Sequence, residues 1–177
     1  MNAGSKCTAI EEYTLAGAYT KTWPNAFTDI GGLAVDLSGN VHVFDQGAAK
    51  VSVFAPSGSS LRNFGSAGSA DGQFSATSGY MVHAIAVDDT GNVYVSDWGN
   101  KRIQVFDNAG TFKLKWGSQG DLPGQFQNGP AAVAWAPDKF VLCYDTPSEW
   151  YHISQFSQLG SFIRRTPQNN QIWAEYQ

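Results

Sequence analysis

Residues 86–110, AVDDTGNVYVSDWGNKRIQVFDNAG, are the most informative stretch of this sequence. Glycine and asparagine tolerate the positive φ angles that hairpin turns require. The group Thr90-Gly91-Asn92 therefore predicts a tight turn inside the stretch. Together with its flanking residues, the stretch contains four short β-type runs separated by turn residues: Ala84–Asp88, Val93–Asp97, Arg102–Asp107 and Thr111–Trp116. This order predicts a four-stranded antiparallel sheet.

The same pattern recurs along the chain, which indicates internal repeats. Ala34-Val35-Asp36 corresponds to Ala86-Val87-Asp88, and Gly72-Gln73-Phe74 corresponds at the same spacing to Gly124-Gln125-Phe126. A third copy is degenerate, with changed loop lengths. A glycine turn before the last strand of a unit occurs at four places: Gly17, Gly58, Gly110 and Gly160. We therefore predict whole units at about residues 26–74, 75–126 and 127–165, preceded by a partial unit at about 7–23.

The polarity of the strands indicates how each unit packs. In the second unit the first three strands are apolar or small on both faces, whereas the fourth alternates, with Lys113 and Lys115 on one side. Inner strands covered on both faces and a half-wet outer strand are typical of a β-propeller blade. Glycine-rich crossings at 65–74 and 117–126 end in Phe74 and Phe126, which we expect to plug the gaps between blades. We predict one domain over residues 1–177.

Composition excludes some classes of function. The chain has 177 residues, a formal net charge of −4 and a pI near 5.2, so it lacks the basic surface that nucleic-acid binding needs. No apolar run is long enough for a membrane span and no signal peptide is recognisable, which leaves extracellular and cytoplasmic locations both open. Cys7 and Cys143 match no metal-binding spacing. We expect two thiols, with a disulfide between them left open.

The second unit resembles the NHL repeat. The resemblance is carried by Ala86-Val87-Asp88, Gly91–Asp97, Gly99-Asn100, Arg102–Phe106 and Gly110. The first unit matches well, although Lys50 replaces the arginine, and the third matches only in its strand pattern. NHL repeats form β-propellers, usually with six blades. The resemblance, which covers about residues 26–165, thus implies an all-β fold, a β-propeller of the NHL type with four-stranded antiparallel blades.

Three units and a fraction do not close a ring, because propellers typically need at least four blades. An open arc would expose apolar blade faces. We rank first a fragment of a longer protein or an incomplete ring. Alternatively, two copies close a six-bladed ring as a homo-oligomer with two-fold symmetry. In a third arrangement, strands near Cys7–Trp23 combine with a closing strand at residues 171–176 into a fourth blade.

The resemblance also implies where an enzymatic site would lie. Peptidyl-α-hydroxyglycine amidating lyase, an NHL-like propeller enzyme, binds zinc through histidines at the entry to inner strands of several blades. His83 stands at such an entry, but Gly31 and Ala131 occupy the corresponding positions of the other units. Catalytic zinc normally has three protein ligands. We therefore predict no catalytic residue, no metal and no cofactor, and we expect His83 to line the channel or to lie in a turn.

For the other candidate residues, a structural role has to be weighed against a role in binding or catalysis. Five aspartates recur at strand ends without the spacing of a calcium loop, and we expect each to accept hydrogen bonds from its own turn: Asp36, Asp45, Asp88, Asp97 and Asp145. For Arg102 we expect an ion pair with a nearby carboxylate, or packing of its stem. Trp98 lies in a turn and is expected to be exposed, where an aromatic side chain could anchor a partner.

The sequence favours a non-enzymatic binding or scaffold module that recognises a protein, peptide or glycan through loops on one face. The candidate binding residues are Trp98, His83, Asn100 and Arg102. A metal-dependent lyase or hydrolase of the propeller type is the alternative. RNA binding ranks lower, because RNA-binding NHL domains use a strongly positive face that Lys101 and Arg102 alone do not supply. No nucleic-acid partner and no membrane span are expected.

Overall fold

The protein is described by a computed structural model that covers residues 6–23, 26–76, 84–136, 138, 140–145 and 152–166. All regular structure in these ranges is β-strand, and no membrane-spanning helix is found among them. The strands are β1 Glu11–Tyr13, β2 Tyr19–Thr22, β3 Ile30–Val35, β4 Val41–Asp45, β5 Lys50–Phe54, β6 Ser60–Phe64, β7 Ser66–Ala67, β8 Gln73–Phe74, β9 Ile85–Val87, β10 Val93–Asp97, β11 Arg102–Phe106, β12 Phe112–Trp116, β13 Pro130–Ala136, β14 Phe140–Asp145, β15 His152–Ser157 and β16 Phe162–Arg165.

Three four-stranded antiparallel sheets form the body of the fold, as predicted. Blade one contains β3–β6, blade two contains β9–β12 and blade three contains β13–β16, each in simple sequence order. Strands β1 and β2 form a separate hairpin, which we call the partial blade. Its turn around Gly17 matches the turn before the last strand of the other units. The closing strand predicted at 171–176 lies outside the described residues, and the single-domain organisation stays a prediction.

Aspartates at the ends of inner strands organise the first hairpin turn of a blade. The Asp88 carboxylate accepts hydrogen bonds from the backbone N–H groups of Thr90 at 2.9 Å and Asn92 at 2.8 Å. Gly91 lies between them with φ +83°, a conformation that glycine adopts without strain. Asp36 holds the corresponding turn of blade one in the same way. For these two aspartates, the expected bond to their own turn is confirmed.

The polarity predicted for the strands is also confirmed in blade two. Every residue of β10 and β11 is buried, because both faces of these inner strands are covered by neighbouring sheets. In the outer strand β12, exposed Lys113 and Lys115 alternate with half-buried or buried apolar residues. A row of lysines on an exposed edge also disfavours pairing with a foreign strand. The inner strands of blade two are therefore buried, and its outer edge is exposed to solvent.

Hydrophobic clusters join sheets that are neighbours along the chain. Phe74 is fully buried between blades one and two, with its ring centroid 5.0 Å from that of Phe44 and 5.6 Å from that of Phe106. Phe126 is equally buried and lies 6.0 Å from Phe156 of blade three. Both phenylalanines thus plug the gaps, as predicted. Among the described residues, no cluster joins blade three to the partial blade, so the sheets do not close into a ring.

A second contact between neighbouring blades pairs an aromatic ring with a glycine. We call the face of a blade that points to the next blade its front face, and the opposite one its back face. Phe64, on the front face of blade one, packs on Gly110, where a β-carbon would lie 2.6 Å from the ring. Trp116 packs on Gly160 of blade three at the same distance. We call the aromatic side chain the knob and the glycine with its surroundings the socket.

The partial blade covers only half of blade one. Its knob, Trp23, is buried against Phe54 at a centroid distance of 5.6 Å and lies over Gly58. Leu33 and Val35, on the inner strand β3, remain 52% and 58% exposed. The two cysteines are free thiols, with Cys7 exposed and Cys143 buried.

Candidate functional site

Three of the four candidate binding residues, Trp98, Asn100 and Arg102, lie in one turn of blade two, Asp97–Arg102, which we call the Trp98 turn. It connects β10 to β11 and therefore lies at the opposite end of the blade from the Asp88 turn. Lys101 adopts φ +56°, which is unusual for a residue other than glycine. Backbone hydrogen bonds from Asn100 N–H to Asp97 O at 3.1 Å and from Lys101 N–H to Trp98 O at 3.0 Å close the turn.

Asp97 is the centre of a buried polar network beneath this turn. Its carboxylate is fully buried and accepts a hydrogen bond from Arg102 Nε at 2.8 Å and one from the backbone N–H of Ser75 at 2.9 Å. The Arg102 Nη2 group donates to the carbonyl oxygens of Ala70 at 2.8 Å and Gln73 at 2.9 Å. The expected ion pair of Arg102 is therefore confirmed. Only 6% of Arg102 is exposed, and its guanidinium is used to hold the crossing loop.

Asn100 belongs to the same network. Its side-chain amide donates to Asp97 Oδ2 and to the carbonyl oxygen of Gly68, both at 2.9 Å. Gln104 adds a further donor to Asp97 at 3.1 Å and binds the Gln73 carbonyl at 2.6 Å. The amide of Asn100 is thus used to hold the crossing loop 65–74 against blade two. A role of Asn100 or Arg102 in ligand binding stays a prediction, because both side chains bind other parts of the chain in this structure.

Trp98 is half-buried, which is less exposure than its position in a turn led us to expect. Gly129, from the entry to blade three, packs so closely that a β-carbon there would lie 2.9 Å from the indole ring. The Lys101 ammonium lies over the ring, 3.9 Å from its centroid, in a cation–π contact. Lys101 also donates to the carbonyl oxygen of Asn128 at 2.6 Å. Burial lowers the pKa of Lys101, although nearby Asp145 opposes this change.

The strand-end aspartates are of two kinds: some bind their own turn, and others bind the segment that enters the blade. The sequence pattern alone predicts only one kind. Asp45 accepts from the backbone N–H groups of Thr28 at 2.9 Å and Asp29 at 3.0 Å, and Asp145 accepts from Gln127 at 2.7 Å. These aspartates, like Asp97, bind the segment that enters their blade, in addition to or instead of their own turn. The signal that could have shown this is their recurrence at the end of the second strand of each unit.

The histidines give no metal-binding constellation in the described structure. His83 lies outside the described residues. His42 is buried in β4, where its Nε2 is 3.1 Å from Asp36 Oδ2, and His152 is buried in β15. Burial lowers the pKa of both histidines, so both favour the neutral form. Within the described ranges, no three His, Cys, Asp or Glu side chains come together as a metal site would require.

Comparison with known sequences points to one repeat family. The family model of the NHL repeat matches residues 80–106, which include the Trp98 turn. The chain is 34% identical over 104 residues to protein brain tumor of Drosophila melanogaster, a match that covers 58% of this chain and 9% of that protein. It is 35% identical over 68 residues to human NHL repeat-containing protein 3, covering 35% of this chain and 17% of that protein. The chain therefore spans less than a fifth of either relative.

Solved structures show the same fold at low sequence identity. Virginiamycin B lyase from Staphylococcus aureus superimposes with a TM-score of 0.63 at 12% identity, covering 88% of this chain and 47% of the lyase. A streptogramin B lyase gives a TM-score of 0.64 at 16% identity, covering 90% and 48%. This chain thus spans about half of each lyase, and at these identities the likeness concerns the fold alone. The segment 80–106 thus matches the NHL repeat, and the described sheets have the fold of β-propeller blades.

Proposed function

We propose that the chain is a binding or scaffold module without catalytic activity, which recognises a protein, peptide or glycan through the loops at the Trp98 end of the blades. The observation that carries this proposal is the paired Trp98 ring and Lys101 ammonium at the junction of blades two and three. An aromatic ring with an adjacent cation suits a ligand that offers an apolar or sugar face together with an acceptor oxygen.

The surroundings of Trp98 support this role because they fix its position before any ligand arrives. The contact with Gly129 and the cation–π contact with Lys101 restrict the indole, and the Asp97 network holds the turn from below. A side chain that is already ordered loses little conformational entropy on binding. Trp98 is also partly accessible, in contrast to Arg102, so it is the better anchor of the two.

The metal-dependent lyase alternative draws no specific support from the described residues. The described histidines, His42 and His152, are buried in strands of different blades. The likeness to the two lyases has 12% and 16% identity, which bears on the fold and not on the reaction. Measuring zinc in the purified chain by elemental analysis separates the two functions. About one equivalent per chain, retained after dialysis, would favour the lyase.

A screen for ligands tests the binding proposal directly. The purified chain is immobilised and probed with a phage-displayed random peptide library and with a glycan array. We expect at least one enriched ligand whose affinity falls tenfold or more in Trp98→Ala. The matched control is Leu159→Ala, because Leu159 is 79% exposed in a turn at the other end of blade three. Enriched ligands that bind wild type and Trp98→Ala equally well would refute the role of the Trp98 turn.

A further inference from the structure

The back face of the partial blade carries an aromatic pair that matches pairs buried elsewhere in the fold. Tyr13 and Tyr19 meet edge to face, with centroids 5.8 Å apart and an interplanar angle of 76°, and they are 54% and 57% exposed. The corresponding pairs of blades two and three have nearly the same geometry, at 6.0 Å and 80° and at 5.8 Å and 79°: Phe106–Phe112 and Phe156–Phe162. Each of those pairs packs against the preceding blade.

The socket beside this pair is formed but unfilled. Gly17 has φ +80°, close to the +88° of Gly110 and the +80° of Gly160. A β-carbon on Gly110 or Gly160 would collide with a knob from the preceding blade, whereas one on Gly17 would meet no atom within 4 Å. The partial blade therefore presents the receiving half of an inter-blade contact to solvent.

The front face of blade three is the other open surface. Ile153 is 44% exposed and Arg164 is exposed. Counted from the turn glycine, Ile153 corresponds to Ile103 of blade two, which is fully buried, and Arg164 corresponds to Leu114. Blade three thus presents a partly apolar front face in which Arg164 replaces Leu114 and Gln155 replaces Val105. The Arg164 Nε group donates a hydrogen bond to Gln155 Oε1 at 2.6 Å.

The two open faces are complementary in charge. In the interface between blades two and three, Leu114 packs in the same cluster as the pair Phe156–Phe162. If blade three meets a partial blade in the same arrangement, Arg164 takes the place of Leu114 and lies against Tyr13 and Tyr19. Arginine stacks favourably on aromatic rings. Glu11, whose Oε2 accepts a hydrogen bond from Tyr13 Oη at 2.6 Å, adds a carboxylate beside those rings.

We propose that the front face of blade three binds the back face of the partial blade of a second copy of this chain. Reciprocal use of the two faces gives a closed two-fold assembly. The contact also covers Tyr13, Tyr19 and Ile153, which are otherwise exposed apolar surface.

The mass of the 177-residue chain in solution tests the proposal. Sedimentation equilibrium at protein concentrations from about 1 to about 100 µM, a range that spans a typical micromolar affinity, should give twice the 19.1 kDa of one chain. Arg164→Glu should weaken self-association at least tenfold, because it places a carboxylate against Glu11. The double variant Arg164→Glu with Glu11→Arg should restore dimer formation, since the charges are exchanged. Lys113→Glu, on the exposed outer strand of blade two, is the control that should change nothing.

Circular dichroism of each variant establishes that loss of the dimer is not loss of the fold, and Tyr19→Ser provides a second, uncharged disruption of the contact. A wild-type chain that stays monomeric at the highest concentration would overturn the proposal. So would any oligomer or aggregate whose mass is unaffected by Arg164→Glu and Tyr19→Ser. A monomer would indicate that the two faces do not bind each other.

Discussion

Replacing Arg102 by alanine should lower the free energy of unfolding by about 3–5 kcal/mol, the usual cost of breaking a buried ion pair from one side. The structure gives the reason for this magnitude. Asp97 would stay fully buried and charged after losing its 2.8 Å contact with the guanidinium. The carbonyl oxygen of Ala70 would retain only the backbone N–H of Gln73, and that of Gln73 would retain only Gln104.

Urea unfolding followed by tryptophan fluorescence measures this change. With a slope of about 2 kcal/mol per molar urea, the midpoint should fall by roughly 1.5–2.5 M. Lys115→Ala is the matched control, because Lys115 pairs with Asp71 while both side chains are nearly half exposed. Such surface pairs contribute about 0–1 kcal/mol. If Arg102→Ala is no more destabilising than Lys115→Ala, the Asp97 network does not hold the crossing loop as described.

The socket glycines, a buried histidine and the cysteines provide three further tests. In urea titrations Gly110→Ala should cost about 1–3 kcal/mol more than Gly17→Ala, since both need positive φ but only a side chain on Gly110 would overlap a knob; equal costs would contradict that packing. Burial lowers the pKa of His42, so the unfolded chain takes up the proton first and stability should fall as pH drops below about 6.5. His42→Tyr, which installs the residue that blade two has there, should reduce that slope, and an unchanged slope would refute this assignment. Burial also raises the pKa of the Cys143 thiol, so the native protein at pH 8 should react with a thiol reagent only at exposed Cys7 and at both cysteines after unfolding; equal native rates would rule out burial.

Features that depend on neighbouring residues in the sequence were predictable. The runs around Val93–Asp97 and Arg102–Asp107 become β10 and β11, and the Thr90-Gly91-Asn92 turn forms because Asp88 binds its backbone. The burial of Phe74 between blades could also be inferred, because the loop that ends in Phe74 recurs at the same place in the next unit and should have the same structural role there.

Features that depend on contacts between blades could not be predicted from one unit. Trp98 reads as a free turn residue in its own unit, but Gly129 of the next blade covers part of its ring. Asp88 and Asp97 both stand at strand ends, yet Asp88 binds the backbone of its own turn, whereas Asp97 also binds the backbone of the incoming segment at Ser75. Which of these roles an aspartate takes depends on the end of the blade at which it lies, and that is a property of the assembled sheets.

The knob and socket have a consequence for how such a chain can grow. In blades one and two the knob follows the turn glycine by six residues, so each duplicated segment carries both the ring that the next blade receives and the glycine that receives the previous ring. A tandem copy of residues 75–126 would therefore meet its neighbours through contacts that already exist. Blade number can change by duplication without the invention of a new interface, and selection is then free to act on the loops.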